Sequence, residues 1–430
     1  MERGLLIGEE MRRTFIRGVE LGLDELADKY RDVPRFIILK IDAQRRGIKL
    51  TQRAFDAVQS PLYRFARYDR VKSEPSAQGA FPGPMILRDG TTVLVSAAAA
   101  AQFKNPYTVD YTDGVFTLHD GPQSIDEVDF TPRPDFYGKK TSRGVPMESI
   151  ASARPQRIDI QPYRYCHFWD TKDQCKFCSF FTDLEEQRQI ADEKFTKVLD
   201  PEDVFETVRE ALREPGRFSQ INLTAGTDYS GRVPFENEVN RYVQILQAIG
   251  GNFKTRRFPS QLIAPAYAKQ HVKRLHEETG LSSYCPDIEV WDERLFKWIC
   301  SGKDKIVGRS EWVKRTIDAV EVFGKGNVYT NFVAGVETAK PHGFKTIDAA
   351  LKSAVEGCEF FAKHGVVCLS LVWRPWKSSV FAGQVPPTLE YYVRLVRELR
   401  DVRRAYGLTS DNDDYKHCGN HADSDLERID

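Results

Sequence analysis

A strand-then-helix alternation between about residues 157 and 406 constrains the fold more than any other feature of the sequence. Short apolar runs rich in β-formers alternate with longer amphipathic segments of helical period. The runs are 157–162, 218–224, 257–265, 282–290, 328–337 and 366–375. The predicted helices are 201–214, 236–249, 266–279, 310–323, 347–363 and 388–406. This alternation predicts an α/β fold with parallel strands and right-handed crossovers.

Helix start and stop residues support these boundaries. Asp200 is a good N-cap before Pro201, while Gly280 and Gly324 follow the ends of two predicted helices. Six such units fit either an open doubly wound sheet or part of a β/α barrel, and periodicity does not choose between them. In both architectures the ligand site lies at the carboxyl ends of the strands.

Residues 1–155 follow a different pattern, which predicts an N-terminal α+β accessory module with an extended connector. Residues 9–30 and 33–60 have helical period. Two hairpins are predicted, in 85–95 with a turn at Asp89-Gly90 and in 107–118 with a turn at Asp113-Gly114. We therefore expect three parts, which are the module (1–155), the repeat core (156–407) and a polar C-terminal tail (408–430).

Composition narrows the functional class. The 62 basic and 62 acidic residues give a formal net charge of zero, so no long-range field favours nucleic acid or an anionic membrane. The sequence has neither a signal-peptide pattern nor an apolar run of membrane-spanning length. Its eight cysteines are too few for a disulfide framework. We expect a cytoplasmic protein whose thiols stay reduced.

Three of the cysteines lie directly after the first predicted strand, in YRYCHFWDTKDQCKFCSF (163–180). Cys166, Cys175 and Cys178 have the spacing C-x8-C-x2-C, which can bring three thiolates around one metal centre. One interpretation is zinc with His167 as the fourth ligand in a Cys₃His site. The other is a four-iron cluster in which one iron has no protein ligand. The third cysteine and the aromatic flanks disfavour a thioredoxin-like redox pair.

This motif resembles that of the radical SAM superfamily, whose three cysteines lie on the loop after the first strand of a partial β/α barrel. The commonest family spacing is C-x3-C-x2-C with an aromatic residue before the last cysteine, and Phe177 has that position. The first gap is longer here, which indicates a divergent member. The resemblance implies a partial (β/α)6 TIM-like barrel and a [4Fe-4S] cluster on Cys166, Cys175 and Cys178. It also implies that S-adenosylmethionine is cleaved reductively to a 5′-deoxyadenosyl radical that abstracts hydrogen from a substrate.

The resemblance also implies cofactor contacts at later strand ends. The expected cofactor-binding residues are Phe177, Thr224, Ala225, Gly226, Thr227, Glu289, Gly335, Glu337 and Arg374. The small residues at 224–227 would let the backbone approach the methionine amino group. Glu289 would accept hydrogen bonds from ribose hydroxyls or an ammonium group, and Arg374 would hold a carboxylate. An ion pair within the fold is the alternative for both of these charged residues.

The remaining thiols divide into two groups. Cys300, Cys358 and Cys368 are expected to be buried structural residues. Cys285 and Cys418 are the candidate catalytic thiols, Cys285 as a hydrogen donor near the fourth strand end. Cys418 lies between His417 and His421 in the polar tail, which could close over the site.

We expect a small-molecule substrate and an external one-electron donor of the flavodoxin or ferredoxin type, with no nucleic-acid or membrane partner. Two alternatives are a zinc-stabilised binding or scaffold protein and a catalytically inactive radical-SAM-like protein. The first would hold its metal in a closed site, and the second would bind a cluster without turnover.

Overall fold

Two β-sheets organise the part of the chain that the computed structural model describes, which is residues 20–60, 62–63, 84–96, 105–180, 194–410 and 419–427. The first sheet has six strands and the second has seven. The strands of the first sheet are β1 (Ile48–Leu50), β2 (Met85–Leu87), β3 (Thr92–Val93), β4 (Tyr107–Thr112), β5 (Val115–Asp120) and β6 (Gln123–Phe130). Their order across the sheet is β1-β4-β5-β6-β2-β3.

Both predicted hairpins of this sheet are confirmed. Strand β2 pairs antiparallel with β3, and β4 pairs antiparallel with β5. Gly90 and Gly114 have φ values of 90° and 86°, a conformation that glycine adopts without the steric cost of a side chain. Strand β6 was not predicted, because most of its side chains are exposed or half-buried and its hydrophobic alternation is weak.

Among the described residues, three helices precede or interrupt the first sheet, α1 (Leu23–Lys29), α2 (Arg35–Arg46) and α3 (Gln52–Val58). The prediction of one helix over 33–60 was wrong. Gly47, at φ 69°, ends α2, strand β1 follows, and the Thr51 side chain accepts a hydrogen bond from the backbone of Ala54 to start α3. Residues 9–19 of the first predicted helix lie outside the described residues.

The seven strands of the second sheet follow each other in chain order, as β7 (Ala151–Arg154), β8 (Arg157–Ile160), β9 (Gln220–Thr224), β10 (Ser260–Ile263), β11 (Ser283–Cys285), β12 (Val328–Ala334) and β13 (Val366–Val372). Strands β8 to β13 are parallel neighbours, and β7 adds an antiparallel edge. The α/β class and the six predicted strands are confirmed. Among the described strands the order nowhere reverses, so they form no switch point of the kind found in a doubly wound fold.

Helices alternate with these strands. Five of the six predicted crossover helices are present with small shifts at their ends, and the sixth, 310–323, is divided into two helices at Ala319. From residue 147 onward the described helices are α4 (Met147–Ile150), α5 (His167–Asp170), α6 (Pro201–Ala211), α7 (Glu236–Gly250), α8 (Lys269–Glu277), α9 (Glu293–Ile299), α10 (Ser301–Ile306), α11 (Arg309–Asp318), α12 (Val320–Phe323), α13 (Ile347–Lys363), α14 (Leu389–Ala405) and α15 (Ala422–Glu427). Among the described residues, no helix is long and apolar enough to cross a membrane.

Helix α2 joins the two sheets. Ile37, Ile38 and Ile41 belong to the core around the second sheet, whereas Leu39 and Ala43 belong to the core of the first sheet. The helix therefore buries two opposite faces, which explains why residues 37–44 are all buried.

The C-terminal segment 419–427 returns to the fold, although its composition predicted a polar tail. The backbone N–H of Leu94 donates to the carbonyl of Gly419 at 2.9 Å. Asp423, in α15, is fully buried and accepts a hydrogen bond from the backbone N–H of Ser370 on β13 at 3.0 Å. The polar side chains of this segment thus bind backbone groups on the outer side of β13, the last strand of the sheet.

Candidate functional site

A cavity of about 190 Å³ lies at the carboxyl ends of β8 to β11. Cys166, Cys175 and Cys178 line it together with Phe177, and all four follow β8. The end of β9 contributes the turn 224–227 to the same cavity. Strand ends therefore bring together the three cysteines, the aromatic residue and the small-residue turn that the sequence analysis singled out.

The eight residues between the first two cysteines fold into a helical turn. Cys166 is the N-cap residue of α5, and its carbonyl accepts a hydrogen bond from the N–H of Trp169 at 3.0 Å. Lys172 has φ 61°, which reverses the chain after the helix. Between Cys175 and Cys178 a tight turn is closed by a backbone hydrogen bond of 3.0 Å. Residues 167–174 between the first two cysteines are thus ordered, and they bring the chain back to the cavity.

The turn after β9 packs directly on residues 166–178, which we call the cysteine loop. The N–H of His167 donates to the carbonyl of Thr227 at 2.8 Å, and the hydroxyl of Tyr163 donates to the carbonyl of Gly226 at 2.9 Å. A Cβ atom at Gly226 would overlap the carbonyl oxygen of Tyr165 and the Cβ of Cys166. Only glycine permits this approach, so residue 226 couples the turn to the first cysteine.

The junction of α9 and α10 supports the opposite side of the cysteine loop. The N–H of Lys176 donates to the carbonyl of Ile299 at 3.0 Å, and the N–H of Gly302 donates to the carbonyl of Asp173 at 3.0 Å. Sequence analysis missed this contact, because α9 and α10 lie between the predicted strand 282–290 and the predicted helix 310–323, where no element was predicted. The small residues of Cys300-Ser301-Gly302 could have indicated this contact, because small side chains permit close packing.

Burial shapes the acidity of the three thiols. It raises the pKa of Cys166 to about 11 and raises the pKa of Cys178 well above its usual range. The pKa of Cys175 is lowered to about 7, first by a hydrogen bond from the Cys300 thiol and then by the nearby ammonium of Lys303. Buried thiolates cost free energy unless a cation compensates them. The donor set therefore fits a positively charged, metal-containing group.

Within the described part of the chain, the geometry does not supply the fourth ligand that the zinc interpretation requires. The ring of His167 stacks on Tyr165, and its Nδ1 lies 3.4 Å from Oδ1 of Asp228. Within the described ranges, no three His, Cys, Asp or Glu side chains converge closely enough to hold a single metal ion. The cysteines surround a cavity instead.

Glu289 also lines the cavity, and there it forms an ion pair with Lys303, at 2.6 Å between Oε1 and Nζ. Burial raises the pKa of Glu289 to about 8, and the Lys303 ammonium opposes that shift. Lys303 also donates to the carbonyl of Asp287 at 2.7 Å. The ion-pair alternative for Glu289 is thus observed, although its φ of 66° is a conformation that functional sites often impose. Lys303 itself was missed by the sequence analysis.

Three expected cofactor residues lie outside the cavity lining. The N–H of Gly335 donates to Oε2 of Glu337 at 2.9 Å, and the Tyr391 hydroxyl donates to the other carboxylate oxygen. Arg374 donates from Nη1 to the Ser96 hydroxyl at 2.9 Å, which joins the segment after β13 to the segment after β3. Contact of these residues with a cofactor stays a prediction.

The candidate catalytic thiols have different positions. Cys285 is fully buried, donates to Oδ1 of Asp287 at 3.0 Å and accepts from Nδ2 of Asn331 at 3.3 Å. Because Asp287 lines the cavity, Cys285 lies immediately behind its wall. His417 and Cys418 lie outside the described residues, and His421 Nδ1 is 3.1 Å from the carbonyl of Ser370. Cys300, Cys358 and Cys368 are buried and free, as predicted.

Comparison with curated proteins finds the bacteriochlorophyllide c C-7(1)-hydroxylase of Chlorobaculum limnaeum, which is 24% identical over 274 residues. These residues are 62% of this chain and 65% of the hydroxylase, so the chain spans less than two thirds of that relative's length. No protein-family model matches the chain. The chain is thus similar to an enzyme.

Comparison with solved structures finds a radical SAM methyltransferase from Sphaerobacter thermophilus, at 17% identity and a TM-score of 0.37, covering 95% of this chain and 99% of that one. The similarity to the hydroxylase supports the prediction of an enzyme. That the chain acts by radical SAM chemistry stays a prediction.

Proposed function

We propose that the chain is a radical SAM enzyme that holds a [4Fe-4S] cluster on Cys166, Cys175 and Cys178. The observation that carries this proposal is the convergence of these cysteines and the turn 224–227 on one cavity at the carboxyl ends of parallel strands. When bound, the cluster would supply the electron that cleaves S-adenosylmethionine to methionine and a 5′-deoxyadenosyl radical, which takes hydrogen from the substrate.

The chain's own residues would bind the cofactor and exclude water. Gly226 brings the backbone of the turn next to Cys166, so that its polar groups can contact a ligand on the open iron. Glu289 faces the same cavity and would accept hydrogen bonds from a ribose or an ammonium group. Phe168, Phe177 and Phe180 form an apolar wall, which would keep water from a reactive radical.

For the architecture, we propose that β8 to β13 curl into a partial (β/α)6 barrel. Consecutive order of parallel strands supports this, because barrels of this type add strands in one direction. The proposed parts remain an accessory module (1–155), the barrel (156–407) and a C-terminal segment (408–430). Helix α2 would join the first part to the second through its two buried faces.

The proposal extends to partners and location. A small-molecule substrate fits a neutral chain, which exerts no long-range attraction on nucleic acid. An external one-electron donor of the flavodoxin or ferredoxin type would reduce the cluster. We place the protein in the cytoplasm, where thiols stay reduced and available to iron.

Anaerobic reconstitution with iron and sulfide tests the cluster. We expect about four irons per chain and a brown chromophore, as a [4Fe-4S] site requires. Alanine at Cys166, Cys175 or Cys178 should abolish iron retention, whereas the matched control Cys358→Ala, at a buried thiol away from the cavity, should retain it. A colourless protein with one zinc per chain would contradict the proposal.

A further inference from the structure

Of the three cysteines, Cys166 is the one that the covalent chain holds least closely to the others. Eight residues separate it from Cys175, whereas Cys175 and Cys178 share one tight turn. That turn is supported by the junction of α9 and α10, through the backbone hydrogen bond of 3.0 Å between Lys176 and Ile299. Cys166 therefore needs contacts of its own to stay at a fixed distance from the other two.

One buried carboxylate contacts the residues on both sides of Cys166. It belongs to Asp228, which directly follows the turn 224–227 and is 1% exposed. The Tyr165 hydroxyl donates to Oδ2 of Asp228 at 2.6 Å, and Nδ1 of His167 lies 3.4 Å from Oδ1. The two rings stack, with their centroids 5.4 Å apart. A single side chain thus holds both neighbours of Cys166.

Asp228 is itself fixed to helix α7. Arg241 donates from Nη1 to Oδ2 of Asp228, and the Glu238 carboxyl, three residues earlier on α7, accepts from the backbone N–H of Asp228. The backbone N–H of Ser230 donates to Oδ1 at 2.9 Å. Because charge-assisted hydrogen bonds of this kind are strong, the carboxylate is a fixed anchor for the segment around Cys166.

Groups behind a metal ligand orient that ligand, and their loss lowers metal affinity. We infer that Asp228 is a positioning residue that, through Tyr165 and His167, keeps Cys166 in place to bind the cluster. The inference rests on the proposed function, since it requires a cluster at this site. It adds to that function a residue that is not among those lining the cavity.

The first core contains a matched control. Asp42, in α2, is 3% exposed, accepts a hydrogen bond of 2.7 Å from the Tyr107 hydroxyl and pairs with Arg45 at 2.9 Å. These residues repeat the arrangement of tyrosine, carboxylate and arginine around Asp228, and none of them lines the cavity. Asp42→Asn and Tyr107→Phe therefore change the same kinds of contact as Asp228→Asn and Tyr165→Phe.

Two measurements on the reconstituted full-length chain test the inference. Release of iron to a chelator reports how firmly the cluster is held. Alkylation with iodoacetamide during that release, followed by mass spectrometry of the peptides, shows which cysteine becomes free first. We expect Asp228→Asn to release iron about tenfold faster than the unmodified chain, with Cys166 alkylated before Cys175 and Cys178. Tyr165→Phe, which removes one of the two contacts, should act in the same direction but less strongly.

The two control variants should release iron at the rate of the unmodified chain. Equal rates for Asp228→Asn and Asp42→Asn would overturn the inference. Simultaneous alkylation of all three cysteines would also overturn it, because Asp228 would then support the fold in general. If Asp228→Asn does not fold, Tyr165→Phe decides by the same two measurements. If the unmodified chain retains no cluster, the proposed function itself fails, and its iron content shows this beforehand.

Discussion

Gly226 is the residue at which the turn after β9 meets the cysteine loop. Gly226→Ala would force apart the turn and Cys166, because the added Cβ overlaps backbone atoms that cannot move aside. We expect a loss of about 1–3 kcal/mol in the free energy of unfolding, together with reduced iron retention after reconstitution. Urea denaturation and iron analysis measure the two effects.

The matched control is Gly250→Ala, in the last turn of α7, where the nearest atom to a new Cβ is a ring carbon of Phe258 at 3.4 Å. It should change stability by less than about 0.5 kcal/mol or stabilise the helix. A Gly226→Ala protein with ordinary stability and full iron content would show that the two segments do not need this contact.

Glu238, on α7, makes stability depend on pH. Its carboxyl is fully buried, and burial raises its pKa from 4.5 to about 8 against the opposing hydrogen bonds from Tyr267 and Asp228. Between these pH values the folded chain keeps a proton that the unfolded chain releases. The stabilisation that comes from this proton is therefore complete below pH 4.5 and is lost as the pH rises to about 8. The free energy of unfolding falls by up to roughly 1.4 kcal/mol per pH unit in this range.

The measurement is the free energy of unfolding of the wild type and of Glu238→Gln from pH 5 to 9. The wild type should lose stability relative to the variant as pH rises, and the difference should level off above about pH 8. Glu277→Gln, at an exposed position on α8, is the control. Its curve of unfolding free energy against pH should be parallel to that of the wild type. Parallel curves for Glu238→Gln as well would contradict the assignment.

Among individual residues, the sequence predicted those whose spacing indicates a metal-binding motif. Cys166, Cys175 and Cys178 follow a strand in a recognisable pattern, so their convergence could be expected. Lys303 could not be found in this way, because it reaches the cavity from a helix that starts more than a hundred residues later. Only the packing of that helix places its ammonium beside the cysteine loop.

Among the elements, α15 illustrates how a polar segment can be buried. Lys40 and Asp425 are fully buried and form an ion pair of 2.6 Å between α2 and α15. Asp425→Asn would leave the Lys40 ammonium without its charge partner in the interior. We expect this to cost about 3–5 kcal/mol of unfolding free energy in urea denaturation.

Two further variants show whether the stability lost in Asp425→Asn comes from the buried ion pair or from the loss of any charge. Glu293→Gln breaks the exposed pair with Lys297, at 2.8 Å, and should cost only about 0–1 kcal/mol. Replacing both buried partners, by Lys40→Met with Asp425→Leu, should restore much of the stability that Asp425→Asn loses. A cost below about 1 kcal/mol for Asp425→Asn would show that α15 is not anchored by this pair.

The crossover helices could be predicted because each has an apolar stripe and a recognisable end. α13 has the predicted bounds, and α7 extends by one residue beyond them. By contrast, the burial of α15 depends on charges supplied by α2 and α14, including Arg403, which bonds to Glu427 at 2.7 Å. No local pattern in a polar tail indicates partners that lie so far away along the chain.

For the whole molecule, local periodicity predicted the number and direction of the core strands but left their order open. Strand order depends on contacts between residues distant in sequence, and the structure supplies it as a consecutive series from β8 to β13. The contact between the two sheets was equally unpredictable, since residues 33–60 were predicted as one helix, whereas α2 buries one face in each core. The proposed barrel and its site both follow from that order.

Reductive cleavage of S-adenosylmethionine tests the central claim most directly. The reconstituted chain is incubated without oxygen with dithionite and S-adenosylmethionine, and the products are separated by liquid chromatography. We predict 5′-deoxyadenosine and methionine from the unmodified chain and from Cys358→Ala, and neither product from the alanine variants of Cys166, Cys175 and Cys178. A chain that carries a full complement of iron and yields no 5′-deoxyadenosine under these conditions would contradict the account.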